Sequence, residues 1–168
     1  MNKKSRKLPK CVRPEEFKEL IKVIPRKEIK TRIAFLLSYG SGLRVSEVLR
    51  CRKEHFTENS IFILESKYGV ERYVPIPKGW KKDFFKYLPL NVSQRTLQRK
   101  FKKNALKASL SSLYTYHSLR HGFATRLLES GTPLNQVQVL MGHADISTTG
   151  IYTKANPRDA IKSYEELF

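Results

Sequence analysis

Three short strings concentrate the residues that could do chemistry: Ser41-Gly-Leu-Arg-Val-Ser-Glu47, Tyr116-His-Ser-Leu-Arg-His121 and Leu140-Met-Gly-His-Ala-Asp-Ile-Ser-Thr-Thr-Gly-Ile-Tyr152. An arginine fork is planar, permanently charged, and matches a phosphate through parallel donors. Arg44 and Arg120 could therefore hold a phosphodiester and stabilise the charge that builds on it under attack. The hydroxyl of Tyr152 has an ordinary pKa of roughly 10 and needs a base and a positive field to act at neutral pH. His117 lies three residues before Arg120, on the same face of a predicted helix, and is the natural base candidate. His143, just past a predicted helix end, can donate to a phosphate oxygen. These are the parts of a phosphodiester cleavage that uses no metal.

The elements that must position them follow from periodicity. Pro14 suits a first helical position, and Phe17, Leu20, Ile21 and Ile24 follow at helical spacing until Pro25. A second helix is expected from about Glu28 to Tyr39, broken by Gly40-Ser41-Gly42, and a short helix carries Arg44, Glu47 and Val48. The pattern then changes to β. Ile61 to Leu64 and Arg72 to Ile76 read as the strands of a hairpin with Lys67 near its tip, Pro75 and Pro77 marking an edge. Helical patterns return at about 79–88 and 94–108. Thr115 can cap a helix from His117 to Leu128, Thr132-Pro133 opens another that Gly142 stops, and Asn156-Pro157 opens a last one. Ala160, Ile161, Tyr164 and Leu167 form the apolar face of that last helix. The expected fold is mainly α with a small antiparallel β-sheet (α+β). Residues 1–12 read as a basic tail or linker and 13–168 as one domain.

Length and charge narrow the partners. At 168 residues the chain can bury a core without a staple. Thirty-three Lys and Arg against fifteen Asp and Glu give a net charge of +18, so a polyanion is the first partner to consider. Arg95, Arg99, Lys100, Lys102, Lys103 and Lys107 crowd one predicted helix and suit contacts to a phosphate backbone. The two cysteines form no CxxC pair, and the four histidines show no zinc spacing. No metal and no cofactor is expected. No signal peptide and no apolar run long enough to span a bilayer is present in the sequence, so a cytoplasmic, nucleoid-associated place is expected.

Together the three strings closely resemble the catalytic boxes of the tyrosine recombinase family, which includes phage-type integrases and Xer-type recombinases. The resemblance covers nearly the whole chain from about Leu8. The family's hairpin lysine lies in a pattern similar to GKGxxERxVPL. Ser66-Lys-Tyr-Gly-Val-Glu-Arg-Tyr-Val-Pro-Ile76 aligns with it without a gap and places that lysine at Lys67, with Ser66 and Tyr68 in place of the flanking glycines. By this resemblance the active-site set is Arg44, Lys67, His117, Arg120, His143 and Tyr152, with His121 in support and Glu47 either orienting Arg44 or lying as a plain charge on a helix face. Singly, each member has a plainer reading: Arg44 as a surface ion pair, Lys67 as a solvated turn residue, His117 and Arg120 as a common pair on one helix face, His143 as a cation at a helix end, Tyr152 as core. Six such coincidences in the family's order point to one site.

The resemblance implies the recombinase catalytic-domain fold and DNA strand cleavage and religation through a 3′-phosphotyrosyl bond. That bond keeps the phosphodiester energy, so no ATP is needed. Lys67 suits a general acid for the 5′-oxygen. The implied partner is double-stranded DNA, bound by a chain that is monomeric alone and tetrameric in a synapse on DNA. Two neighbouring readings share these features: DNA relaxation like that of type IB topoisomerases, and a DNA-binding domain that does not cut. The family usually carries an N-terminal helical domain that grips the other face of the DNA. The chain is expected to lack it and to begin near the linker. The last helix, about 157–167, is expected to dock either on its own chain or on a neighbouring protomer.

Overall fold

A computed structural model describes residues 11–64 and 71–142, together with Ile161 and Tyr164. Six α-helices among them carry the architecture: α1 (Pro14–Val23), α2 (Ile29–Gly40), α3 (Val45–Arg50), α4 (Gln94–Lys107), α5 (His117–Glu129) and α6 (Leu134–Met141). Strands β1 (Ser60–Ile63) and β2 (Arg72–Pro75) pair antiparallel, with Ile61 opposite Val74 and Ile63 opposite Arg72. The expected mainly α fold with one small sheet is the observed one.

The centre is α2. Thr31, Ile33, Ala34, Phe35, Leu37, Ser38, Tyr39 and Gly40 are all buried, so this helix is covered on several sides, by α5, α3 and α4. A helix apolar on nearly every face has no stable place at a surface, and α2 accordingly runs through the core. Phe35 meets Phe101 of α4 and Tyr116 edge-on, each at 5.7 Å between ring centroids. The Tyr116 hydroxyl, fully enclosed, donates to the Ala34 carbonyl and meets Ser38 Oγ at 2.9 Å, so its one polar atom is satisfied. A second cluster gathers Phe123, Leu127, Val137, Leu140 and Met141 from α5 and α6. Ile161 and Tyr164 pack into the same cluster, which seats those two positions of the last predicted helix on their own chain.

Local expectations needed three adjustments. Arg44 sits just before α3, as its N-cap, rather than within it. Thr115 does not cap α5. The cap falls on Tyr116, which is already helical, and the Thr115 amide donates to Ser118 Oγ. The pattern at 79–88 forms only a short 3-10 helix, Lys82–Tyr87, around which Trp80 and Phe85 pack on Phe56 and Phe84 packs on Trp80.

Gly42 shows why the break after α2 needs glycine. Its φ is +70°, and a Cβ there would stand 2.5 Å from the Phe123 ring. The backbone must therefore approach α5 closely, and this approach brings the Gly42 carbonyl to Arg120.

Candidate active site

Glu47 is the hub. Its side chain is fully enclosed, and three arginines from three parts of the chain converge on it. Arg44 donates its amide to Oε2 at 2.7 Å and its Nη1 to Oε1 at 2.9 Å. Arg72 of β2 donates Nη1 to Oε1 at 3.0 Å and Nη2 to Oε2 at 2.9 Å, a fork on a carboxylate. Arg120 of α5 brings Nη1 to 3.7 Å from Oε2. One negative charge thus faces three positive ones, and the surplus is what a phosphate could neutralise.

Carbonyls complete the cage. Arg120 Nη1 donates to Gly42 O at 2.5 Å, and Nη2 donates to Met141 O. Arg44 Nη2 donates to Gly142 O at 3.1 Å. Both glycines are in the left-handed region, where the turn aims their carbonyls at the guanidinium groups. From the sequence, Glu47 either orients Arg44 or lies as a plain charge on a helix face. The structure gives it contacts to Arg44 and to two more cations.

Burial by itself would raise the Glu47 carboxyl. The hydrogen bonds and charge of Arg72, the Arg44 amide and Arg120 outweigh it and hold the group below the ordinary carboxylate range. Arg120 is pulled down to about 9 by burial first, then by Arg44, with Arg72 adding to the effect and Glu47 opposing it. It stays protonated at neutral pH.

Arg44, Arg120, His117 and His121 share the wall of a cavity of about 340 Å³, whose apolar side is made by Leu128 and Met141. Arg44 is 31% exposed there, whereas Arg120 is nearly enclosed. His117 and His121, one helical turn apart on α5, meet edge to face at 4.5 Å. His117 is lowered from the ordinary histidine value by desolvation, then by His121, Arg120 and Arg44. His121 is lowered by desolvation and Arg120. His117 is the first residue of α5, where the helix field disfavours a cation, in keeping with its lowered pKa. A neutral imidazole beside two guanidinium groups can accept a proton while they hold an anion.

This arrangement has a direct spectroscopic consequence. NMR titration is expected to show both His117 and His121 titrating below 6.5. Because Arg44 acts on His117 alone of the two, Arg44→Ala should raise the His117 value and leave His121 nearly unmoved. Both rings bind protons more readily in the unfolded chain, so the stability they influence is full above pH 6.5 and declines as the pH falls below it.

Of the six predicted residues, the structure brings Arg44, His117 and Arg120 together. Lys67, His143 and Tyr152 lie outside the described residues. Arg72 was missed. The available signal was its place in β2: Arg72 and Val74 share the inward face of the strand, and an arginine on an inward face must have a buried partner. Among the basic residues of α4, Arg95, Arg99, Lys102, Lys103 and Lys107 are exposed, opposite the buried Leu97, Phe101, Asn104 and Ala105. Lys100 differs, since its ammonium is 2.7 Å from Glu28. A larger cleft of about 610 Å³ reaches Glu47 past Arg50, Arg52 and His55, but Arg44, His117 and Arg120 do not line it. Among the described residues no group of His, Cys, Asp and Glu could hold a metal ion, and no helix is long and apolar enough to cross a membrane.

The chain matches the family model described as the phage integrase family over residues 10–91 and 84–159. It is 35% identical over 178 residues to the tyrosine recombinase XerA of Pyrococcus furiosus, covering 94% of this chain and 62% of that protein. The chain thus spans somewhat under two thirds of the length of this relative. Among solved structures, the integrase from mycobacterium phage Brujita superimposes with a TM-score of 0.75 at 25% identity, over 99% of this chain and 60% of that one. The lambda integrase catalytic core superimposes with a TM-score of 0.67 at 19% identity, over 80% of this chain and 91% of that one, and so shares the fold.

Proposed function

The chain belongs to the phage integrase family, and on that premise we propose that it is the catalytic domain of a site-specific tyrosine recombinase. The observation that carries the reading is the convergence of Arg44 and Arg120, from distant parts of the sequence, on one cavity wall that His117 shares.

In the proposed reaction, Arg44 and Arg120 bind the non-bridging oxygens of the scissile phosphate. The Tyr152 oxygen attacks phosphorus, a P–O bond to tyrosine forms, and the bond to the 5′-oxygen breaks. His117 takes the tyrosine proton, and Lys67 supplies one to the departing 5′-oxygen. His143 donates to the phosphate. The 3′-phosphotyrosyl bond conserves the energy of the linkage, and attack by a 5′-hydroxyl reverses the steps. Lys67, His143 and Tyr152 enter through their places in the sequence motifs.

Double-stranded DNA is the proposed partner, at the cytoplasmic site where DNA is accessible. Each chain offers one nucleophile and exchange between two duplexes cuts four strands, so the working assembly on DNA is a tetramer. The exposed face of α4 is the proposed backbone contact, with Arg95, Arg99, Lys103 and Lys107 at phosphates and Lys100 held back by Glu28. Each of these cations that neutralises a phosphate contributes about 0.9 to the slope of log affinity against log salt. Arg99→Ala is therefore expected to lower that slope by about one in anisotropy titrations. An unchanged slope would remove α4 from the interface.

The cleavage itself is tested by mixing the chain with nicked duplexes from a randomised pool and denaturing the mixture. A covalent protein–DNA adduct is expected, and none is expected with Tyr152→Phe. No adduct in the pool, or one that survives Tyr152→Phe, overturns the reading. Relaxation of supercoiled plasmid without recombinant products would instead favour a topoisomerase-like activity.

A further inference from the structure

Arg72 belongs to no part of the reaction described above, yet it is the most completely engaged cation in the site. Its side chain is 1% exposed, and it does not line the cavity. Nε donates to Leu140 O at 2.8 Å, and Nη1 and Nη2 take both oxygens of Glu47. A Cβ on Gly142 would stand 2.7 Å from Arg72 Nη1, so the end of α6 closes directly on the guanidinium. An inward arginine on a strand desolvates a full charge, which is costly unless the fork is satisfied. Here it is satisfied, and one of the partners, Glu47, also faces the other two arginines.

Arg72 holds Glu47 and the Leu140 carbonyl, and the two residues after Leu140 supply carbonyls to Arg120 and Arg44. Glu47 contacts both, Gly142 O accepts from Arg44, and Met141 O accepts from Arg120. Resting on the recombinase reading, we infer that Arg72 is a positioning residue: by donating to each oxygen of Glu47 it shares that carboxylate's charge, so that Glu47 holds Arg44 through Nη1 without drawing in the whole fork and leaves Arg120 Nη1 at 3.7 Å. Glu47 then aligns these two arginines without neutralising them, and their charge stays available to the scissile phosphate. Without Arg72, Glu47 has spare acceptor capacity, and the donors placed to fill it are Arg120 Nη1, 3.7 Å away, and Arg44 Nη2, which otherwise donates to the Gly142 carbonyl. Either capture draws positive charge away from the cavity.

The test compares two substrates at a site recovered from the wild-type adducts. One carries the ordinary phosphodiester. The other carries a methylphosphonate at the scissile position, where a methyl group replaces a non-bridging oxygen and leaves little charge for the arginines to neutralise. Single-turnover adduct formation is measured for wild type, Arg72→Met, Arg72→Lys and Arg44→Ala, at a temperature where circular dichroism shows each variant folded. On the phosphodiester the Arg72 variants are expected to lose about 10–100-fold, the scale of groups that orient a primary contact. On the methylphosphonate that deficit should largely disappear, as it should for Arg44→Ala. Arg72→Lys keeps a cation opposite Glu47 and carries the test if Arg72→Met does not fold. The same deficit on both substrates, or none on the phosphodiester, overturns the inference while wild-type cleavage stands. A wild type that forms no adduct overturns the recombinase reading, and this inference with it.

Discussion

Replacing Arg120 by Met is expected to lower the rate of adduct formation by about 100- to 1000-fold while DNA binding weakens much less. The reason is when each interaction is made. DNA at rest spreads its charge along the backbone, and many exposed cations of a +18 chain share in binding it. In the proposed reaction, charge concentrates at the scissile phosphate only as the tyrosine oxygen attacks, and there the nearly enclosed Arg120 would act where water screens little. Arg120→Lys is a sharper version of the same experiment. It keeps the charge but cannot replace a fork that reaches the Gly42 and Met141 carbonyls together. Single-turnover kinetics at saturating protein, beside anisotropy for affinity, separate the two effects. An equal loss in rate and affinity would place Arg120 in resting binding and take it out of the chemical step.

Glu47→Ala should be the most destabilising single change at the site. It leaves Arg72 and Arg120, both nearly inaccessible, facing one another without a counter-charge. Breaking a buried pair in this way costs about 3–5 kcal/mol. For a chain of this size that corresponds to a fall in melting temperature of about 6–20 °C. Glu47→Gln keeps the shape but not the charge and should still fall well below wild type in a thermal melt. A variant melting within a degree or two of wild type would mean that the three arginines are compensated elsewhere.

The same contact predicts how acid acts on the fold. Glu47 is held below its ordinary value, so the unfolded chain binds its proton more readily than the native one. Its contribution is fully present above the unfolded value of about 4.3 and is lost as the pH falls through the depressed native value. Denaturant midpoints measured at descending pH should show this decline in wild type, and a flatter profile in Glu47→Gln.

Part of the site's geometry is legible in the sequence. Arg44, His117 and Arg120 were named from residue type and spacing, and they share one cavity wall. The helices were legible too, because apolar residues at helical spacing have one economical way to leave water. Legibility ended at the contacts. Arg72 looked like an ordinary strand residue, because a strand pattern states which face turns inward and not what waits there. Glu47 looked like half of a local pair with Arg44, because three residues of spacing suffice for that bond and reveal nothing about Arg72 or Arg120. Lys100 looked like the other cations of α4, yet Glu28, far away in the chain, claims it.

The sequence by itself determined the chemistry available and the elements that carry it, since residue types set the donors and periodicity sets the helices. Tertiary structure decided which charge meets which. One buried carboxylate holding three guanidinium groups is assembled by α3, β2 and α5 only once the core around α2 has closed. Electrostatic energy depends on distance and on exclusion of water, and neither quantity exists until the chain has folded.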